Sequence, residues 1–255
     1  MSLMPPFNRQ GNKFYIRNKI IERIPEHDTY IEPFAGSASI FFNKEKAKKN
    51  ILNDLDEALI NRLKLLKKAS TNIKKYNQNL KTIDDLKEFF DKPDKTKEDE
   101  LLLEKIKLST GYCAHPITKS KQIYKAHNPA TMILKLPEYQ KLLKHVKLYS
   151  KDYKFIIKKF DSPTSFFFID PPYEKTDVAF GYAEGSTKFN FEELRDTLND
   201  IQGHFLLTIN DSPLIRSLFK EFEITPIDIV NNWQNCASTP QKKHRKELFI
   251  TNYFS

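Results

Sequence analysis

The chain has 255 residues, 39% hydrophobic and 13% aromatic, enough for one large α/β domain or one domain plus a smaller one. No stretch approaches the roughly 20 consecutive apolar residues that span a bilayer, and the opening MSLMPPFNRQ has no apolar segment of the kind a signal peptide carries, so no membrane partner is expected. The net charge of +9 lies in the middle: residues 62–151 hold 21 Lys/Arg against 10 Asp/Glu, the remainder 21 against 23, which suggests a polyanionic partner or a solvated lysine-rich surface.

In chain order, Thr29-Tyr30-Ile31 reads as a short strand. Glu32 to Ser39 is a turn of small residues, and Ile40-Phe41-Phe42 is expected to open a helix running into the Lys44 to Lys49 stretch. Asn50 to Asp54 is a second strand ending on a carboxylate. Glu57 to Lys68 places Leu59, Ile60, Leu63 and Leu66 at helical spacing. Residues 70–147 hold Leu, Ile and Lys at helical spacing with breaks at Pro93, Pro116 and Pro129, and are expected to form a mostly helical insertion. The α/β rhythm then returns. Ser165 to Ile169 has the apolar run of a strand buried on both faces. Asn190 with Glu193 resembles a capping box ahead of an amphipathic helix. His204 to Ile209 is another apolar strand, and Ser212-Pro213 has the cap and first-turn proline of a helix start. Ile224 to Val230 and Glu247 to Tyr253 fit a closing antiparallel hairpin.

The chemistry is expected at the strand ends. In a parallel sheet, Ile31, Asp54 and Asp170 end on one edge and line one crevice. Asp170-Pro171-Pro172-Tyr173 follows the buried strand directly. Two prolines stiffen the turn and remove two backbone donors, while their carbonyls still accept. A carboxylate beside a rigid carbonyl gives two acceptors aimed at one point, which suits an exocyclic amino group with two N–H donors. The tyrosine offers a flat face to an aromatic base. Gly36, within Phe34-Ala35-Gly36-Ser37-Ala38, allows a ligand close to the backbone. Asp54 lies about 20 residues past the first turn, where an acid commonly accepts from ribose hydroxyls. No Gly-x-Gly-x-x-Gly is present, so a ribose without a pyrophosphate is indicated. Asp54 and Asp170 also have a plainer reading as helix or turn caps. The six histidines show no metal-ligand spacing, so no metal is expected. Cys113 and Cys236 fit neither a zinc pattern nor a disulfide framework, which points to a reducing cytoplasm.

EPFAGSASIFF at 32–42, NDLDEALINRL at 53–63 and FFFIDPPY at 166–173 resemble the Dam-type (class alpha) DNA adenine-N6 methyltransferases. The order also matches, with the S-adenosylmethionine motif first, the recognition region second and DPPY third. The resemblance implies a Rossmann-like catalytic domain from residues 1–62 and 148–255, with a target-recognition domain at 63–147. It implies S-adenosylmethionine as cofactor, double-stranded DNA as partner, and a setting such as restriction–modification; a monomer is plausible. Phe34, Ala35 and Gly36 would wrap the cofactor and Asp54 would take its ribose. Asp152 and Tyr153 would border its adenine, and Gly11 and Lys13 would help hold its amino-acid end. Asp170 and the Pro171 carbonyl would accept from the target amine, with Pro172 stiffening the turn. Tyr173 would stack on the base, and Tyr182 is a further candidate beside it. Lys119, Lys121 and Lys125 would bind phosphate or solvate a loop; Lys242, Lys243 and Arg245 sit where such hairpin loops approach DNA. Leu108 to Cys113 does not match the recognition loop of GATC-reading members, so GATC is not expected as the site. An RNA adenine or DNA cytosine-N4 methyltransferase, and a catalytically silent nucleic-acid-binding module, are the alternatives. The aspartate of DPPY leans toward adenine.

Overall fold

The computed structural model describes residues 2–6, 11–68, 88, 93–94, 137–173, 189–230 and 244–254. The chain forms two compact units, one from residues 1–17, 36–46 and 56–150, the other from 18–35, 47–55 and 151–255. The sheet is mixed and seven-stranded, in the order β3-β2-β1-β4-β5-β7-β6. Its strands are β1 (Thr29–Glu32), β2 (Lys49–Asn53), β3 (Lys147–Tyr149), β4 (Ser165–Ile169), β5 (His204–Asn210), β6 (Glu223–Val230) and β7 (His244–Thr251). This is the expected Rossmann-like α/β class.

The first unit holds a single 3-10 turn (Phe14–Ile16), while α1 (Arg17–Ile21) belongs to the second from Asn18 onward. Helix α2 (Glu57–Lys68) buries Leu59, Ile60, Leu63 and Leu66, the stripe its spacing predicts. Asp56 starts it, its Oδ1 accepting from the Ala58 amide at 3.0 Å. At the other end Lys67 donates to the Val146 carbonyl at 2.9 Å. The expected helix from Ile40 does not form: residues 39–43 are a run of turns. Ala38 sits at φ 53°, a left-handed conformation that propagates no right-handed helix. The apolar residues there are still used, since Phe41 and Phe42 are buried and Phe42 meets Tyr139 edge-on at 5.3 Å.

The second unit holds the parallel centre of the sheet. Strand β1 pairs in parallel with β2 on one side and β4 on the other, and β4 pairs in parallel with β5. With parallel neighbours on both sides, all five residues of β4 are buried, which is why Phe166 to Ile169 carry no polar side chain. Strand β7 runs antiparallel between β5 and β6 as the expected hairpin, with Pro226 on the edge strand β6, where a missing N–H costs nothing. The helices are α3 (Tyr153–Phe160), α4 (Phe191–Asn199) and α5 (Pro213–Leu218). Asn190 caps α4 through the Glu193 amide at 3.0 Å, and Ser212 caps α5 through the Ile215 amide at 3.3 Å. Glu193 does not complete the box; its carboxylate pairs with Lys154 at 2.5 Å.

Four phenols, three buried and that of Tyr253 half-buried, give the fold an alkaline limit. Burial raises Tyr30, Tyr139, Tyr153 and Tyr253 above the ordinary tyrosine value of 10.0, Tyr153 to about 12. The unfolded phenols ionise near 10 while the folded ones keep their protons, so stability is intact below pH 10 and falls as pH climbs past it. A spectrophotometric titration should show these four of the 11 tyrosines ionising only as circular dichroism is lost. Ionisation of all 11 with the dichroism intact would contradict this.

Candidate active site

Strand order reverses between β1 and β4, and in open α/β sheets ligands bind outside the carboxyl ends of strands at that point. Both strand ends carry polar groups. Beyond β1, the chain passes through Pro33, Phe34 and Ala35, and the Ala35 amide donates to the Asn53 carbonyl at 2.7 Å. Asn53, the last residue of β2, is completely buried. Its Nδ2 donates to the Pro33 carbonyl at 2.8 Å and the Lys151 carbonyl at 2.9 Å. Its Oδ1 accepts from the Lys151 amide at 2.9 Å. One side chain thus ties together the end of β2, the turn after β1 and the residue preceding Asp152. Sequence reading missed this role, because an asparagine at a strand end shows its partners only once the fold is known.

Asp54 follows Asn53 and is 8% exposed. The plainer reading of Asp54 as the cap of α2 does not hold, because Asp56 caps that helix. Asp152 is the N-cap of α3, accepting from the Lys154 amide at 2.8 Å. Tyr153 is buried, with its ring 5.2 Å from Phe34 and 5.9 Å from Phe189, while Phe34 and Phe189 are 5.8 Å apart. Burial, and then the Glu193 carboxylate, push the Tyr153 phenol up to about 12, so it is neutral at physiological pH.

At the end of β4, Asp170 is half-buried, Pro171 buried, and Pro172 and Tyr173 half-buried. The β4–β5 register pairs Ile169 with Leu207, so the next residues along, Asp170 and Thr208, are neighbours. The Thr208 hydroxyl donates to Asp170 Oδ1 at 2.9 Å. Thr208 was also missed; its only signal is a hydroxyl inside the run Leu206-Leu207-Thr208-Ile209. A further buried carboxylate, Glu32 at the end of β1, accepts from the Tyr30 phenol at 2.7 Å.

The remaining candidates lie in the first unit, on β7 or outside the described residues. Gly11 has φ 83° and Gly36 φ 50°, where glycine is least strained. Lys13 is 5% exposed, and its ammonium donates to the Gly11 carbonyl at 2.8 Å. Arg245 stands on β7 opposite Ile229. Lys119, Lys121, Lys125, Tyr182, Lys242 and Lys243 lie outside the described residues. Among the described residues no group of His, Cys, Asp and Glu could hold a metal ion, and no helix is long and apolar enough to cross a membrane.

The second unit therefore presents a buried carboxylate past β2, a braced turn past β1, and a carboxylate held by a hydroxyl past β4. That donor set fits a ribose-bearing cofactor beside an acceptor of N–H groups. A search of curated proteins returns no match. Among solved structures, a precorrin 8w decarboxylase from Methanobacterium thermoautotrophicum aligns at 9% identity and a TM-score of 0.45, over 98% of this chain and 99% of that one. A precorrin-6y C5,15-methyltransferase from Geobacter metallireducens aligns at 9% identity and a TM-score of 0.42, over 100% and 94%. Neither likeness carries chemistry over to this chain. The sequence profile of the D12 class N6 adenine-specific DNA methyltransferases matches residues 10–232. That match spans most of the chain and both strand-end motifs, so the protein belongs to this family and transfers a methyl group from S-adenosylmethionine to the N6 amino group of adenine in DNA.

Proposed function

We propose that the enzyme is of the Dam type, acts as a monomer on double-stranded DNA in the cytoplasm, and works through Asp170, Pro171, Pro172 and Tyr173. The observation that carries this reading is the Asp170 carboxylate, braced at the end of β4 beside the strand-order reversal. Residues 1–62 and 148–255 serve as the catalytic part, and 63–147 reads the target, its basic excess neutralising phosphates. Extruding the adenine from the stack costs a few kcal/mol, which phosphate contacts and stacking on Tyr173 offset.

When bound, S-adenosylmethionine supplies a methyl group already activated by its sulfonium. Asp54 accepts from the ribose hydroxyls, and the turn Phe34-Ala35-Gly36 shapes the backbone around the cofactor. Gly11 and Lys13 support its amino-acid end, and Asp152 and Tyr153 border its adenine. The Asp170 carboxylate and Pro171 carbonyl accept from the two N6 hydrogens. That holds the amino group out of conjugation with the ring and makes its lone pair available. Transfer of that methyl group from sulfur to N6 would leave positive charge on the nitrogen. Asp170 stabilises that charge until the surplus proton passes to solvent. Holding both reactants in attack geometry contributes roughly 7–11 kcal/mol, and acceptors placed where charge develops add to it.

Sequencing DNA from expressing cells with modified-base detection tests this. N6-methyladenine at one recurring site supports it. N4-methylcytosine, or methyl groups found only in RNA, would overturn it.

A further inference from the structure

We propose that Thr208 is a positioning residue for methyl transfer: its hydroxyl sets the plane of the Asp170 carboxylate toward the target amino group. This rests on reading Asp170 as the acceptor of the N6 hydrogens, and it deepens that reading by naming what aims the acceptor.

A hydroxyl in the core of a sheet is costly unless it is bonded. Thr208 is 0% exposed and flanked along β5 by Leu206, Leu207 and Ile209. Valine has nearly the same shape and would fill the site without that cost, so packing alone gives no reason for the hydroxyl. The hydroxyl donates to Asp170 Oδ1 at 2.9 Å, within ordinary hydrogen-bond range; the Ile169 carbonyl lies farther, at 3.5 Å. A bond to an ionised acceptor is the stronger kind.

The need for such a bond follows from the carboxylate itself. The terminal torsion of an aspartate is broad and roughly two-fold, so the plane of a half-buried carboxylate at a strand end is set by the groups that bond to it. Threonine is stiff at χ1, and here it stands on a central strand whose register with β4 is fixed over four consecutive pairs. A stiff donor on a fixed strand gives the acceptor its aim.

Thr208→Val and Thr208→Ser separate aiming from packing. Valine keeps the shape and loses the hydroxyl; serine keeps the hydroxyl and loses the methyl. The expected result for Thr208→Val is a kcat lower by about 10- to 100-fold, the scale of a small misplacement of a reacting group. Its KM values for S-adenosylmethionine and DNA should stay within about twofold and its thermal midpoint near wild type, on the same small-perturbation argument. Thr208→Ser should retain most of kcat even where its midpoint drops. The reverse order, with valine near wild type and serine impaired, overturns the proposal. So does a loss in both variants that simply tracks the midpoint. Asp170→Ala, assayed alongside, distinguishes the two levels. If it is inactive while Thr208→Val is fully active, only the positioning role fails. If it is fully active, the reading of Asp170 fails and the positioning role with it.

Discussion

Asp170→Ala is expected to abolish methyl transfer while the protein stays folded. In the proposed mechanism the carboxylate supplies the acceptor nearest the developing positive charge, and removing one such preorganised group costs about 10²–10³ in rate. Loss of the acceptor that frees the N6 lone pair adds to that, so activity should fall by at least about 10³-fold. The structural cost is small. Asp170 is half-buried at a strand end, outside the apolar core of β4. Its removal leaves the buried Thr208 hydroxyl with only the Ile169 carbonyl at 3.5 Å, a cost of about 1–3 kcal/mol. Transfer of labelled methyl groups to DNA, with a melting curve on the same sample, checks both halves. Asp170→Asn should fall between, since an amide oxygen still accepts but carries no charge. An alanine variant as active as wild type would end the assignment.

Asp54→Ala is expected to weaken S-adenosylmethionine binding by one to two orders of magnitude, with kcat at saturating cofactor much less affected. Hydrogen bonds to a charged group contribute about 1.5–3 kcal/mol, which is roughly 10- to 150-fold in affinity. Asp54 is 8% exposed and follows the fully buried Asn53, so its carboxylate is placed before any ligand arrives. Calorimetric titration reads the change directly. An unchanged affinity would remove Asp54 from the ribose site, and a collapsed melting curve would show that the carboxylate holds the fold instead. The two substitutions should separate cleanly, one acting on kcat and the other on cofactor binding.

Much of this was legible in the sequence, for identifiable reasons. The unbroken apolar run of β4 announced a strand covered on both faces. Asn190 and Ser212 marked helix starts because capping is a local event, needing only the next three residues. What the sequence hid is whatever depends on distant pairing. Thr208 is one hydroxyl among apolar neighbours until the β4–β5 register sets it beside Asp170. Asn53 shows its partners only when the fold sets it beside Pro33, 20 residues back, and Lys151, 98 residues on. The helix expected from Ile40 failed for a local reason: Ala38 takes a left-handed conformation that an alanine does not advertise.

The bonds from Asn53 to Lys151 bear on how such a protein can change its target. They close a loop of 98 residues, and nearly all of it is the stretch assigned to reading DNA. Closure entropy grows only logarithmically with length, so doubling such a loop costs only about 0.6 kcal/mol more. The two ends are clamped by a residue that belongs to the catalytic side. If residues 63–147 read the target as proposed, a stretch of different length or sequence could be exchanged between these fixed posts with little penalty to the chemistry, and new specificities would be thermodynamically cheap to explore.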